Sequence, residues 1–306
     1  MKKFLHILSI LAIVVFCLSA CAKQVEVSNK MGNQVMSRMG EIVQQETEKV
    51  VEKVAQEKAE VERKAKEEAE AQAKKEQEST VAQVPKVEAI PGQHRDPNST
   101  VVVIDPGHQL RGDSAKEPNG PGSSTMKARV TGGATGVATK VAEYVMNLNV
   151  SLKLKTELEN RGYTVYMTRS THDVNISNKE RAEYATSVGA DIAVRIHGNG
   201  STSASVRGAE CYAPSAKNPY VSHLSKASVS LSKCIIDSYC QATGFKNRGV
   251  FTSDTMTGIN WSTVPVTILE LGYMSNAQED RKMQDETIQN NMVQGIANGI
   301  DKYFGF

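Results

Sequence analysis

The chain has 306 residues, 40% hydrophobic and 23% charged, the make-up of an ordinary globular protein with room for one or two domains. A net charge of +2 gives no electrostatic reason to expect DNA, RNA or another polyanion as partner. These averages conceal segments of very different character.

Residues 1–20 read as an export signal. Lys2 and Lys3 precede an apolar run, Phe4 to Leu18, that is short for a membrane span. The run ends Leu18-Ser19-Ala20-Cys21, and small residues before a cysteine resemble the bacterial lipoprotein box. Cys21 is then the lipidated first residue of the mature chain, and 21–39 is its tether. A lipid chain holds by about 0.8 kcal/mol per buried CH₂. An ordinary secretion signal or an uncleaved anchor is the alternative. Cys17 leaves with the signal, and Cys211, Cys234 and Cys240 are too few and too odd in number for a disulfide framework, so they are expected as free thiols.

Residues 40–78 form a charged tract. From Glu41 it contains no glycine, proline or aromatic residue, and Val43, Val50, Val54 and Val61 follow a heptad seam that fails at Lys64 and Glu68. It reads either as a helical, weakly self-associating stalk or as a disordered charged segment. As a helix it spans about 60 Å, at about 1.5 Å per residue. Residues 79–99 carry three prolines and no periodicity, and form a linker in which His94 is solvated.

From 100 to 306 the pattern is that of one globular domain. Strands are expected at Val101–Ile104, 163–169, 191–199 and 265–273. Helices are expected at 147–161 (through Leu148, Leu152, Leu154 and Leu158), 176–188, 225–242 and 286–304. Strands alternating with helices imply an α/β fold with a mostly parallel sheet. Ligands of such sheets collect at the carboxyl ends of the strands.

Three polar residues stand at those ends. His108 follows "VVVIDPG", His197 ends "IAVRIH", and Glu270 ends "VTILE". If the strands are parallel neighbours, the three meet at one rim. Two histidines and a carboxylate form a metal-ligand inventory, and His₂Glu is one set used by catalytic zinc. The alternative is that each histidine merely caps a turn.

Four stretches together resemble a known family. "VVVIDPGH", "TKVAEYVMNLNVSLKLKTELENRGYTVYMTR", "NISNKERAEYATSVGADIAVRIHGN" and "VPVTILELGYMSN" are similar, in order, to the motifs of zinc-dependent N-acetylmuramoyl-L-alanine amidases of the type 3 amidase family. The resemblance covers 101–306 and implies a twisted, mostly parallel mixed sheet flanked by helices. It implies Zn²⁺ held by His108, Glu143 and His197, with Glu270 as the catalytic glutamate. The implied reaction is hydrolysis of the peptidoglycan amide joining the lactyl group of N-acetylmuramic acid to L-alanine. For Glu143 the alternative is a helix N-terminal carboxylate, and for Glu270 a salt bridge to Arg195.

Some features depart from the family pattern. Gln109-Leu110 stands where many members read Gly-Gly, and the 34 residues between His108 and Glu143 are expected to form a loop walling the glycan or peptide. Arg195, Asn199 and Trp261 are the candidate substrate contacts, Trp261 by stacking on a sugar or else as a core residue. His172 and His223 are expected to be solvated or capping. The whole reads as a lipid-anchored cell-wall hydrolase on the outer face of the bacterial cytoplasmic membrane, its stalk binding an activator or a second copy. The rivals are a non-catalytic wall-binding or scaffold lipoprotein and a zinc peptidase cutting within the stem peptide.

Overall fold

The computed structural model describes residues 96–306, which belong to the second of the chain's two units (82–306), and the isolated, helical Gln45. The signal, Cys21 with its tether, the rest of the stalk and the linker up to 95 lie outside the described residues. Pro97–Ser99, at the end of the expected linker, are already ordered as a 3₁₀ turn capped by Asp96. Among the described residues no helix is long and apolar enough to cross a membrane.

Eight strands and six helices follow. They are β1 (Val101–Pro106), β2 (Asp113–Pro118), β3 (Met126–Val130), α1 (Glu143–Asn160), β4 (Thr164–Met167), α2 (Asn178–Ser187), β5 (Ile192–Asn199), β6 (Ala209–Ala213), α3 (Ser225–Thr243), β7 (Asn247–Thr252), α4 (Thr257–Asn260), β8 (Val266–Tyr273), α5 (Ala277–Gln284) and α6 (Glu286–Phe304). One sheet runs β4-β1-β5-β8-β6-β7, and β2 and β3 pair apart from it as an antiparallel hairpin. The first four strands are parallel; β6 pairs antiparallel with β8, and β7 runs parallel to β6. The expected α/β fold with a mostly parallel mixed sheet is therefore present.

The central strands are apolar on both faces because both faces are covered. Val102 and Ile104 of β1 and Ile192, Val194 and Ile196 of β5 pack with α1, α3 and α6. Val103, Ala193, Val266 and Ile268 pack with Ala185 of α2 and Ile259 of α4. On one side α3 and α6 pack closely because α6 carries Gly295 and Gly299. A Cβ on either would collide with the backbone of α3 at Tyr239 or Ile235.

Helix α1 begins at Glu143, four residues before the expected start. Its buried stripe is Met146, Val150, Leu154 and Leu158, while Leu152 lies exposed. The stretch expected to be a loop after His108 folds instead around the β2–β3 hairpin. Arg129 of the hairpin pairs with Glu180 and with Asp113, and Asn178 and Lys179 of α2 bond to Arg129 O and to the Glu117 carboxylate. Its tip is fixed to α4 by Asn260, which donates to Asn119 O at 3.0 Å. Cys211, Cys234 and Cys240 are free, and burial pushes the Cys211 thiol up to about 12.

Candidate active site

Strand β1 ends at Pro106, and the chain turns through Gly107 into His108, whose φ is 59°. A histidine in the left-handed region is strained by roughly 1–3 kcal/mol, so its surroundings must hold it. They do so through the carbonyls of the turn. Arg169 donates to Pro106 O and Gly107 O, and Arg181 to Pro106 O and His108 O, at 2.9–3.1 Å. The His108 Nδ1–H donates to Thr131 O at 2.8 Å, which leaves Nε2 facing the site. Gly107 must be glycine, since a Cβ there would run into the His197 ring.

Beneath this turn lies Asp105, 2% exposed. Its carboxylate meets Arg181 at 2.7 Å and Arg195 at 2.6 Å, and accepts from Thr168 Oγ1 at 2.5 Å. Burial opposes the charge, but the two guanidiniums dominate and hold the carboxyl far below the usual range.

The second and third candidates come from α1 and β5. Glu143 Oε1 lies 3.2 Å from His108 Nε2 and 3.1 Å from His197 Nδ1. The same oxygen accepts from Gly198 N and Asn147 Nδ2, and Oε2 accepts from Ala134 N at 2.7 Å. Glu143 is almost fully buried, yet its bonds to both imidazoles keep its pKa well below normal. Burial also lowers the pKa of His197; for His108, burial is outweighed by Glu143 and the pKa is raised. Ligand atoms of His108, Glu143 and His197 all lie within 4.8 Å of one another. Two imidazoles and a carboxylate in that space fit a divalent ion of borderline softness, and three protein ligands leave a position for substrate or water.

Glu270 is beside them. It stands opposite His197 in the β5–β8 register. Its Oε2 is buried and takes no hydrogen bond from a described residue. Burial first, then the charges of Glu143 and Glu210, raise its pKa well above normal. An acid poised in this way beside a ligand cluster suits proton transfer.

Of the candidate substrate contacts, Arg195 is turned inward: it is 4% exposed and bonds Asp105 and Asn178. It therefore neither faces a substrate nor pairs with Glu270. Trp261 donates to Pro118 O at 2.9 Å, and Lys179 Nζ lies 4.3 Å from its ring centroid, so it fastens the hairpin to α4. Asn199 sits at the rim, with its amide bonded to Glu210 Oε1 at 2.8 Å. His172 packs edge-on to Tyr144 and His223 is exposed in a 3₁₀ turn, and neither belongs to the His108, Glu143 and His197 group. Sequence reasoning passed over Glu210, a buried acid opposite Glu270 on β6. Its signal was an acid inside the small apolar run Ala209-Glu210-Cys211-Tyr212-Ala213.

His108 and His197 at the carboxyl ends of parallel strands, with Glu143 at the head of α1 between them, could hold a metal ion, and the buried acid Glu270 lies next to them. Residues 102–302 match the family model described as N-acetylmuramoyl-L-alanine amidase, and the chain belongs to that family. It is 31% identical to the catalytic domain of the amidase CwlV from Paenibacillus polymyxa, with a TM-score of 0.55 over 67% of this chain and 98% of that one. It is 26% identical to the apo form of Ami1 from Mycobacterium abscessus, with a TM-score of 0.60 over 67% of this chain and 98% of that one. Among full-length relatives, the amidase LytC of Bacillus subtilis is 26% identical over 55% of this chain, and the match spans only 32% of LytC. Protein YqiI of the same organism is 30% identical over 55% of this chain and 77% of its own length.

Asp105→Asn should leave two buried guanidiniums without a counter-charge, at a cost of about 3–5 kcal/mol. The pKa of Asp105 is depressed on folding, so its contribution is complete above its ordinary value of 3.8 and shrinks as pH falls below that. Denaturant melts at several pH values should show the wild-type advantage over Asp105→Asn largest near neutrality and narrowing in acid. A pH-independent gap would contradict this.

Proposed function

We propose that the 100–306 domain hydrolyses the amide between the lactyl group of N-acetylmuramic acid and L-alanine in peptidoglycan. Zn²⁺ is held by His108, Glu143 and His197, and Glu270 is the general base. The observation that carries this reading is Glu270 in register beside His197, with an unbonded, buried carboxylate oxygen next to the ligand trio. Family membership supports the choice of bond.

Each residue then has a task. Zinc, when bound, supplies a Lewis acid for the scissile carbonyl and makes water nucleophilic near neutral pH. Glu270 takes the proton of the attacking water and delivers it to the departing alanine nitrogen, so the amide leaves as an amine and a carboxylate. The raised pKa of Glu270 makes its carboxylate a stronger proton acceptor than that of an ordinary glutamate. Thr131 O fixes the His108 tautomer, and the backbone N–H groups of Ala134 and Gly198 fix the Glu143 carboxylate.

The full chain incubated with peptidoglycan should generate new alanine amino-termini, identified by mass spectrometry, in a reaction stopped by chelator and restored by zinc. New ends inside the stem peptide would make it a peptidase, and zinc binding without cleavage would make it a wall-binding protein. Glu270→Gln should cut kcat by about 10²- to 10⁴-fold while zinc stoichiometry by calorimetry stays at the wild-type value. In the same titration Glu143→Ala should weaken zinc by more than the roughly 10- to 100-fold typical of losing an outer-shell partner. Loss of zinc from Glu270→Gln would reassign that residue as a ligand.

Anchoring through Cys21 at the outer face of the cytoplasmic membrane belongs to the same proposal, because it would hold the domain beside its polymer. It rests on the sequence alone. Cys21→Ala should move the protein from the membrane fraction to the soluble fraction, and continued membrane retention would rule the lipid anchor out.

A further inference from the structure

Beyond Glu270 the sheet continues through β6 to β7, and the polar row continues with it. His197 is opposite Glu270, and Glu270 is opposite Glu210. Glu210 is 2% exposed and its carboxylate is saturated. It accepts from Asn199 Nδ2 at 2.8 Å, Tyr212 OH at 2.8 Å, Tyr273 OH at 3.1 Å and Arg248 Nε at 2.5 Å. Its role as an acceptor is therefore filled from within the fold.

Arg248 is not filled in the same way. Its guanidinium lies over the Tyr273 ring, 5.4 Å from the centroid, and its side chain is 30% exposed. Only Nε is engaged; the two terminal nitrogens carry no hydrogen bond among the described residues. A guanidinium bound through Nε to a buried carboxylate keeps an outer fork of N–H donors, which matches a second carboxylate in bidentate fashion. The backbone beside it is uncovered, since a Cβ on Gly249 (φ 90°) would meet nothing within 4 Å. The neighbouring Tyr212–Phe251 pair, with ring centroids 5.7 Å apart and Phe251 41% exposed, gives the row an apolar margin.

Of the guanidiniums around the site, Arg181 and Arg195 are buried and committed to Asp105 and Arg169 to backbone carbonyls, so among the described residues the free donors are those of Arg248. Adjacent strands are about 4.8 Å apart, so Glu210 stands about 10 Å from His197 across the sheet. An extended peptide covers that distance in about three residues.

We propose that Arg248, seated on Glu210, is a specificity-determining residue that binds a carboxylate of the peptide portion of the substrate about three residues beyond the reacting amide. The inference rests on the amidase reading for the position of that amide. The carboxylate belongs either to an acidic residue within the peptide or to its free C-terminus. Glu210 acts through Arg248 as a positioning residue, holding the fork outward.

The test uses the full chain, loaded with zinc, and N-acetylmuramoyl-L-alanyl tripeptides in four forms: both carboxylates free, the internal one amidated, the terminal one amidated, and both amidated. Wild type should lose about tenfold or more in kcat/KM, mostly through KM, when the recognised carboxylate is amidated. The singly amidated forms show which carboxylate it is. Arg248→Gln should cleave all four with equal kcat/KM. Arg248→Lys keeps a cation for Glu210 but loses the fork, and should recover only part of the discrimination, with a wild-type melting temperature. Equal cleavage of the free and doubly amidated forms by wild type, or full discrimination by Arg248→Gln, would overturn the proposal. If wild type cleaves none of the four, the amidase reading fails. Calorimetric binding of the same compounds then decides on Arg248: affinity that falls on amidation supports it, and affinity that does not sinks it.

Discussion

The site depends on one buried charge, Asp105. It closes β1, and on it converge Arg181 from α2, Arg195 from β5 and Thr168 from the end of β4. Three parallel strands and a helix are thereby tied at the level where the His108, Glu143 and His197 group begins. Arg181 reaches past Asp105 to the carbonyls of Pro106 and His108, so the residue that neutralises the carboxylate also holds the strained turn. Its own place is set by the start of α2. There Ser177 accepts from Glu180 N while the Glu180 side chain accepts from Ser177 N, a reciprocal cap that fixes the first turn. A buried ion pair of this kind is weak as a source of net stability and strong as a constraint on geometry, because neither partner can leave without stranding the other.

A second buried carboxylate performs the same service for the loop that leads to Glu143. Asp280 of α5, fully buried, accepts from Ala138 N, Thr139 N and Thr139 Oγ1 at 2.7–2.8 Å. Gly136 lies against it, leaving no space for a Cβ. The loop pinned in this way runs from Ala134, which donates to Glu143, to Glu143 itself at the head of α1. The position of Glu143 is thus fixed from both ends of one short loop, by its own hydrogen bonds and by Asp280 about 140 residues further on. Both supports are made from single acids whose donors are already in place, so the trio needs little rearrangement to accept an ion.

How much of this was legible in the sequence follows from what each segment buries. Strands β1, β5 and β8 are covered on both faces and read as largely apolar runs; α6 presents a strong apolar face, and its expected span, 286–304, matches the structure. His108, His197 and Glu270 were legible because each ends such a run. The hairpin was not, because β2 buries only Glu117 among charged and small neighbours and gives no alternation. Strands β6 and β7 are short, and each is interrupted by a register shift. Arg195 pointed to the site by alternation with His197, and alternation does place both on one face. It could not reveal that Asp105, directly opposite Arg195 on β1, would claim the guanidinium first. Trp261 was ambiguous for a similar reason, since its partner, Pro118 O, lies on the unread hairpin.

The reversal of β6 gives the site its far side. Parallel strands bring their carboxyl ends to the rim, and β1, β5 and β8 deliver His108, His197 and Glu270 in that way. A parallel β6 would have brought Ala213 there and left Glu210 near the other end of the sheet. Because β6 runs against β8, its second residue, Glu210, falls beside Glu270, and β7, parallel to β6, brings its own second residue, Arg248, to the same rim. The acid on β8 therefore works between two kinds of neighbour. On one side is a trio whose negative member is tied to two imidazoles; on the other is a carboxylate whose charge is met by an arginine and two tyrosine hydroxyls. Each neighbour keeps its own charge satisfied, and Glu270 alone among the three carboxylates has a buried oxygen with no hydrogen bond from the described residues. That burial without a donor is what raises its pKa, and it suits the proton-transfer role proposed for it.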